Sequence, residues 1–143
     1  YQQCLDEQKT NLQKIYESNN INFELFSFTF DILKYYKLAN LVITRAGSSA
    51  LAEVLNCKIP IISIPLASSS ENHQHQNAQY FIKKGFGFLV EEKDIKNKLF
   101  ELLQSINKDK SMLKSIEENQ KKYSDKNVFT IIRKDISKLF YEN

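Results

Sequence analysis

The sequence predicts an α/β protein: a parallel sheet with helices on both faces. Three features carry that prediction. Leu41-Val-Ile-Thr44 and Ile61-Ile-Ser-Ile-Pro-Leu66 are short runs with the nearly unbroken hydrophobicity of strands covered on both faces. The stretches around them repeat their apolar residues at helical spacing. The two kinds of segment alternate, which is the pattern of right-handed βαβ units.

Each element has a local justification. Residues 5–18 are polar, with Leu5, Leu12 and Ile15 at helical spacing, so they read as an amphipathic surface helix that Asn19-Asn20 ends. Residues 22–28 alternate apolar and polar, as a strand does. Asp31 is placed to cap a short helix over 32–39. Residues 41–44 are a buried strand, 48–56 a helix, and Pro60 introduces the strand 61–66. The polar segment 67–79 leads into a helix that ends at Lys84, with Gly85 as its C-cap. A strand is expected over 86–90, a helix capped by Asp94 through about Ile106, and a charged helix near 110–122. The last helix, 127–141, puts Val128, Ile131, Ile132, Ile136, Leu139 and Phe140 on one face.

Composition excludes several classes. At 143 residues the chain has the length of one domain. Its net charge of +3 comes from scattered residues, so no nucleic-acid partner is expected. No apolar run approaches the roughly 20 residues of a membrane span, and the amino terminus lacks a secretory pattern. Cys4 and Cys57 stand far apart without a partnered motif and read as reduced thiols. The chain opens on Tyr1 rather than Met, as a fragment or a processed piece does.

Ligands of parallel α/β sheets bind beyond the carboxyl ends of the strands. The loop after strand 22–28, the turn Arg45-Ala-Gly-Ser-Ser49 and the segment 67–77 should therefore converge. In the turn, Gly47 permits a tight bend and close backbone approach. The amides of Ser48, Ser49 and Ala50 begin a helix and favour an anion such as a phosphate. The competing reading is that Ser48 simply caps that helix. Glu53 suits the two hydroxyls of a ribose, or only the positive end of the helix dipole. His73-Gln-His-Gln-Asn77 offers directional donors and acceptors suited to sugar hydroxyls. Its alternatives are a metal site formed by Glu71, His73 and His75, which lacks a known ligand spacing, and a plain solvated surface. Lys34, Tyr35, Tyr36 and Lys37 read as decoration of a helix. No carboxylate pair and no nucleophile elbow marks a catalytic centre.

Taken together, "LANLVITRAGSSALAEVL", "KIPIISIPL" and "ENHQHQNAQYFIKKGFGFLVEE" resemble the carboxy-terminal, donor-binding half of the MurG family of peptidoglycan glycosyltransferases. The likeness covers roughly residues 22–92. It implies one Rossmann-like domain, 1–143, the C-terminal half of a GT-B glycosyltransferase. The implied reaction is inverting transfer of GlcNAc from UDP-GlcNAc to lipid I, giving lipid II, without a metal or other cofactor. Carried over by position, Gly47, Ser48 and Ser49 would face the diphosphate and Glu53 the ribose. Gln74 would hold the GlcNAc hydroxyls with His75 beside it, and Thr29 falls at the uracil edge. Arg45 matches the motif without an implied role.

Departures are Ala50 in place of a threonine, Phe30, Asn40 and Asn72 in place of aspartates, and His75 at a variable position. The resemblance also implies a glycine-rich loop, a first strand and an acceptor-binding domain before Tyr1. The full-length protein would then work at the cytoplasmic face of the bacterial inner membrane, and this chain alone would be inactive, with no catalytic residue of its own. The rival readings are a separate donor-binding subunit of a two-chain GlcNAc transferase, and a noncatalytic nucleotide-sugar-binding protein.

Overall fold

The computed structural model describes residues 1–69, 72–124 and 135–137. Its contacts divide the chain into two compact units, Tyr1–Leu38 and Ala39–Asn143.

In the first unit, β1 (Gln2–Gln3) and β2 (Leu25–Phe26) pair in parallel across α1 (Asp6–Ser18). The strand expected over 22–28 is thus two residues long, and its partner is a polar strand that no hydrophobic pattern announces. Tyr16 on α1 donates its hydroxyl to Gln2 Oε1. The short helix α2 (Leu33–Tyr36) follows, with Ile32 rather than Asp31 at its N-cap position and no side-chain cap. Tyr35 does not decorate this helix. It is buried, stacks on Phe26 at 4.3 Å between ring centroids and donates its hydroxyl to Glu24 Oε1 at 2.8 Å. A ring buried and hydrogen-bonded in this way is a core residue.

The second unit carries a three-stranded parallel sheet, ordered β3 (Val42–Thr44), β4 (Ile61–Ser63), β5 (Gly87–Leu89). The register aligns Ile43 with Ile62 and Ile62 with Phe88. Successive side chains of a strand point to opposite faces. All three residues of β4 are buried, so both of its faces are covered. On one face, Ile62, Ile64, Val90 and Ile106 form a cluster against which Leu99, Leu102, Leu103 and Met112 pack. These come from α5 (Phe100–Lys108), the turn before it, and the start of α6 (Ser111–Ser124). Leu51, Val54 and Leu55 of α3 (Ser48–Asn56) and Ala78 of α4 (His73–Lys83) supply further core residues.

The end of α4 shows why Gly85 stands where it does. Gly85 N–H donates to Ile82 C=O and Phe86 N–H to Phe81 C=O, the paired bonds of a Schellman turn. Its φ is +72°, and an added Cβ would lie 2.7 Å from Asn119 Nδ2. Asp94 does not cap the following helix with its side chain. A 3-10 turn (Glu92–Asp94) and a π turn (Ile95–Leu99) lead into α5 instead. Asp94 receives an ion pair from Lys98 at 2.5 Å. The helix expected over 127–141 lies outside the described residues except for 135–137, which are helical.

Gln120 on α6 is completely buried. Its Nε2 donates to Ile59 C=O at 2.8 Å and to Phe86 C=O at 2.9 Å. One side chain thus ties together the entries to β4 and β5.

Candidate nucleotide-sugar site at the carboxyl edge of the second unit

β3 hands over to α3 through Arg45-Ala46-Gly47. Gly47 occupies the N-cap position with φ −67° and ψ 136°, and no side chain caps the helix. Ser48 is the first helical residue, so the reading of Ser48 as the cap is incorrect. The first backbone bond into this turn is Leu51 N–H to Gly47 C=O at 3.0 Å. The amides of Ser48, Ser49 and Ala50 therefore precede the helical ladder, as the opening amides of a helix do. Nor does Gly47 supply a bend that only glycine adopts, because its backbone is ordinary extended chain. The property that sets it apart is room: a Cβ built there meets no atom within 4 Å.

Leu51, Val54 and Leu55 form the buried side of α3, while Ser48, Ser49 and Glu53 are exposed. Ser49 and Glu53 are four residues apart and share a helical face. At about 1.5 Å of rise per residue, Glu53 lies about 7.5 Å along the axis from Ser48. Among the described residues, neither serine hydroxyl and no oxygen of the Glu53 carboxylate takes part in a hydrogen bond or ion pair.

Around this free surface the neighbouring groups are tied together. Asn77 Nδ2 donates to Ala46 C=O at 3.1 Å, which joins α4 to the turn. Gln74 Oε1 accepts from Leu66 N–H at 3.0 Å, leaving its Nε2 on the other side of the planar amide. His75 Nε2 lies 2.9 Å from Glu91 Oε1. The Arg45 guanidinium meets Glu92 Oε1 at 2.7 Å and also reaches Ile64 C=O at 3.5 Å. Glu92 Oε2 accepts Ala67 N–H at 3.1 Å. The Ala67 amide and then Arg45 hold the Glu92 carboxyl below its ordinary pKa.

Gly47, Ser48, Ser49, Glu53, Gln74 and His75 all belong to the second unit, at the carboxyl ends of β3 and β4 or on the helices that start there. His73, Gln74 and His75 stand on the first turn of α4, so the loop expected over 67–79 ends at Asn72. His75 is occupied by Glu91. Thr29 belongs to the first unit, where its Oγ1 accepts Asp31 N–H at 3.1 Å. Of the three metal candidates, Glu71 lies outside the described residues. Among the described residues no three histidine, cysteine or acidic side chains gather as a metal site would require.

Arg45, Glu91 and Glu92 are the residues that the sequence reading left without a role, and Asn77, read there as a sugar ligand, instead bonds the turn. The available signal was position, since Glu91-Glu92 directly follows the last strand on the ligand-binding edge. An open cleft of about 250 Å³ lined by Ile43, Thr44, Arg45, Ile64 and Ile95 lies alongside.

The model of the glycosyltransferase family 28 C-terminal domain matches residues 1–134. This chain belongs to that family. An N-acetylglucosamine transferase of Pelagibacter ubique, named for UDP-N-acetylglucosamine and N-acetylmuramyl-(pentapeptide) pyrophosphoryl-undecaprenol, is 35% identical over 148 residues. The match takes in 100% of this chain and 40% of that protein. The enzyme of the same name from a Wolbachia strain is 34% identical over 96% of this chain and 41% of its own length. That from Rickettsia bellii is 35% identical over 87% and 37%. The chain thus spans well under half the length of these relatives. In fold it is similar to the crystal structure of Acinetobacter baumannii MurG, with a TM-score of 0.78 over 95% of this chain and 42% of that one, at 22% identity. The α/β fold expected of a GT-B carboxy-terminal half is the fold observed.

Proposed function

We propose that this chain is the donor-binding part of an inverting glycosyltransferase that moves GlcNAc from UDP-GlcNAc to lipid I. The observation that carries the reading is the start of α3: three amides without a side-chain cap, fronted by the open side of Gly47 and followed by the unpaired Glu53. The amides and the Ser48 and Ser49 hydroxyls bind the diphosphate. Glu53 accepts the ribose hydroxyls, and Gln74 Nε2 donates to the sugar. His75 orients the first turn of α4 through Glu91 and stands beside the sugar.

When the acceptor hydroxyl attacks the anomeric carbon, the bond to UDP breaks and negative charge gathers on the leaving diphosphate. Fixed helix amides stabilise that charge without reorganising, which is how preorganised dipoles lower a barrier. The reading calls on no metal, and it takes the acceptor site, the general base and the peripheral contact with the inner membrane from protein outside this chain.

Calorimetric titration of UDP, UDP-GlcNAc and UDP-glucose into this chain and into Glu53→Ala tests the proposal. A hydrogen bond to a charged group contributes about 1.5–3 kcal/mol, so Glu53→Ala should weaken UDP about tenfold or more. Equal UDP affinity in the variant would refute the ribose role, and a wild-type chain that binds no UDP would refute the function.

A further inference from the structure

Glu92 ties together two separate segments at the rim of this site, a side chain with one carboxylate oxygen and a backbone amide with the other. Oε1 meets Arg45 of the turn after β3 at 2.7 Å, and Oε2 accepts Ala67 N–H from the loop after β4 at 3.1 Å. The peptide plane that carries Ala67 N–H also carries Leu66 C=O, and that carbonyl accepts Ser69 N–H at 3.0 Å. The plane is therefore anchored at both ends and cannot rotate without breaking a bond. The neighbouring amide, Leu66 N–H, donates to Gln74 Oε1. Its direction decides which way the Gln74 amide faces. A chain of contacts thus runs from Glu92 through Ala67 and Leu66 to Gln74, and it ends at the Nε2 donors.

We infer that Glu92 is a positioning residue for sugar recognition, orienting Gln74 through the Leu66–Ala67 backbone without touching the ligand. The inference rests on the proposed function, which gives Gln74 the sugar. The Arg45–Glu92 pair is substantially exposed, at 49% and 34% for the two side chains. An ion pair that open contributes little to global stability. Its effect falls on the loop after β4, through the Ala67 amide.

A merely structural Glu92 and a positioning Glu92 differ in what they do to two ligands. UDP lacks the sugar, so loss of Gln74 orientation lowers the affinity of UDP-GlcNAc and leaves UDP much less affected. Glu92→Ala removes both bonds, while Glu92→Gln keeps an acceptor for Ala67 N–H and loses the bond to Arg45, whose guanidinium its Nε2 then faces. Titration calorimetry with UDP and UDP-GlcNAc, with a thermal melt of each variant, separates the cases. In Glu92→Ala the ratio of UDP-GlcNAc to UDP affinity should fall about threefold to tenfold, the scale of one lost hydrogen bond. Glu92→Gln should recover most of that ratio, and both variants should melt within a few degrees of wild type. A Glu92→Ala chain that keeps the wild-type ratio overturns the inference and leaves the donor-binding function standing. So does equal weakening of both ligands. A wild-type chain that binds neither ligand refutes the function itself, and this inference with it.

Discussion

Gly47 allows stability and ligand binding to be pushed in opposite directions at one position. Its backbone, φ −67° and ψ 136°, suits any residue, and a Cβ there meets nothing within 4 Å. Gly47→Asp would place a carboxylate at the N-cap of α3, where it accepts from the open amides. The gain over glycine as a cap is a few tenths of a kcal/mol. The helix dipole adds about 0.3–1 kcal/mol, and the reduced freedom of the unfolded chain about 0.4–1 kcal/mol. The sum is about 1–2 kcal/mol of added stability, which for a unit of this size is a rise in melting temperature of roughly 5 °C or more. The same carboxylate occupies the amides that the diphosphate needs and repels it by charge, so UDP binding should fall beyond detection in a calorimeter.

Gly47→Ala isolates the steric part. Alanine is a poorer cap than glycine, which offsets the gain in the unfolded state, so stability should change by less than about 1 kcal/mol. The methyl group would still stand in the ligand's path, and UDP should weaken at least about tenfold, the loss of one charge-assisted hydrogen bond. Thermal melts and calorimetry on the two variants decide the matter. If Gly47→Ala binds UDP within about twofold of wild type, the open side of Gly47 is not where the diphosphate lies, and the placement of the site fails.

Two further outcomes bear on the framework. Gln120→Leu keeps the volume but strips the two buried carbonyls, Ile59 and Phe86, of their donor. It should cost about 2–4 kcal/mol, read as a lower urea midpoint with an unchanged slope. A change under about 0.5 kcal/mol would deny Gln120 its role. The Glu92 tie should also depend on pH in one direction. A carboxyl whose folded pKa is depressed contributes stability above its unfolded value, near 4.3, and loses it as pH falls through the lower folded one. The Ala67 amide, followed by NMR, should therefore hold its shift from about pH 7 to about pH 5 and move only in more acid solution. Movement centred above about pH 5 would contradict the tie.

The parts of the fold that could be read from the sequence are those fixed by local pattern. β3, β4 and α3 stood out because apolar runs and a helix start leave a mark on neighbouring residues. β1 left none, since two glutamines become a strand only when Leu25–Phe26 arrives beside them. The start of α4 was hidden for a related reason. Asn72 enters it in the left-handed conformation without a side-chain cap, and only Ala78 in the helix is fully buried. Tyr35 looked like surface until Phe26 was found stacked on it. In the candidate site, the turn after β3 announced the start of a helix, but Arg45 stayed without a role because its partner stands 47 positions later, after the last strand. Residues that bind can be guessed from their type, whereas residues that hold binders in place are defined by distant contacts.

Gln120 also has a consequence for the order in which the second unit can form. β4 and β5 can pair as soon as both have been made, but the carbonyls of Ile59 and Phe86 gain their donor only when a residue 61 and 34 positions further along appears. During synthesis, a chain still emerging from the ribosome would therefore hold a paired sheet with two unmet acceptors at its entrance. Contacts closed late across such long loops are costly in chain entropy. The entrances to β4 and β5 of the nascent protein would stay loosely framed until α6 docks, so that edge of the sheet is completed only once residue 120 has been made.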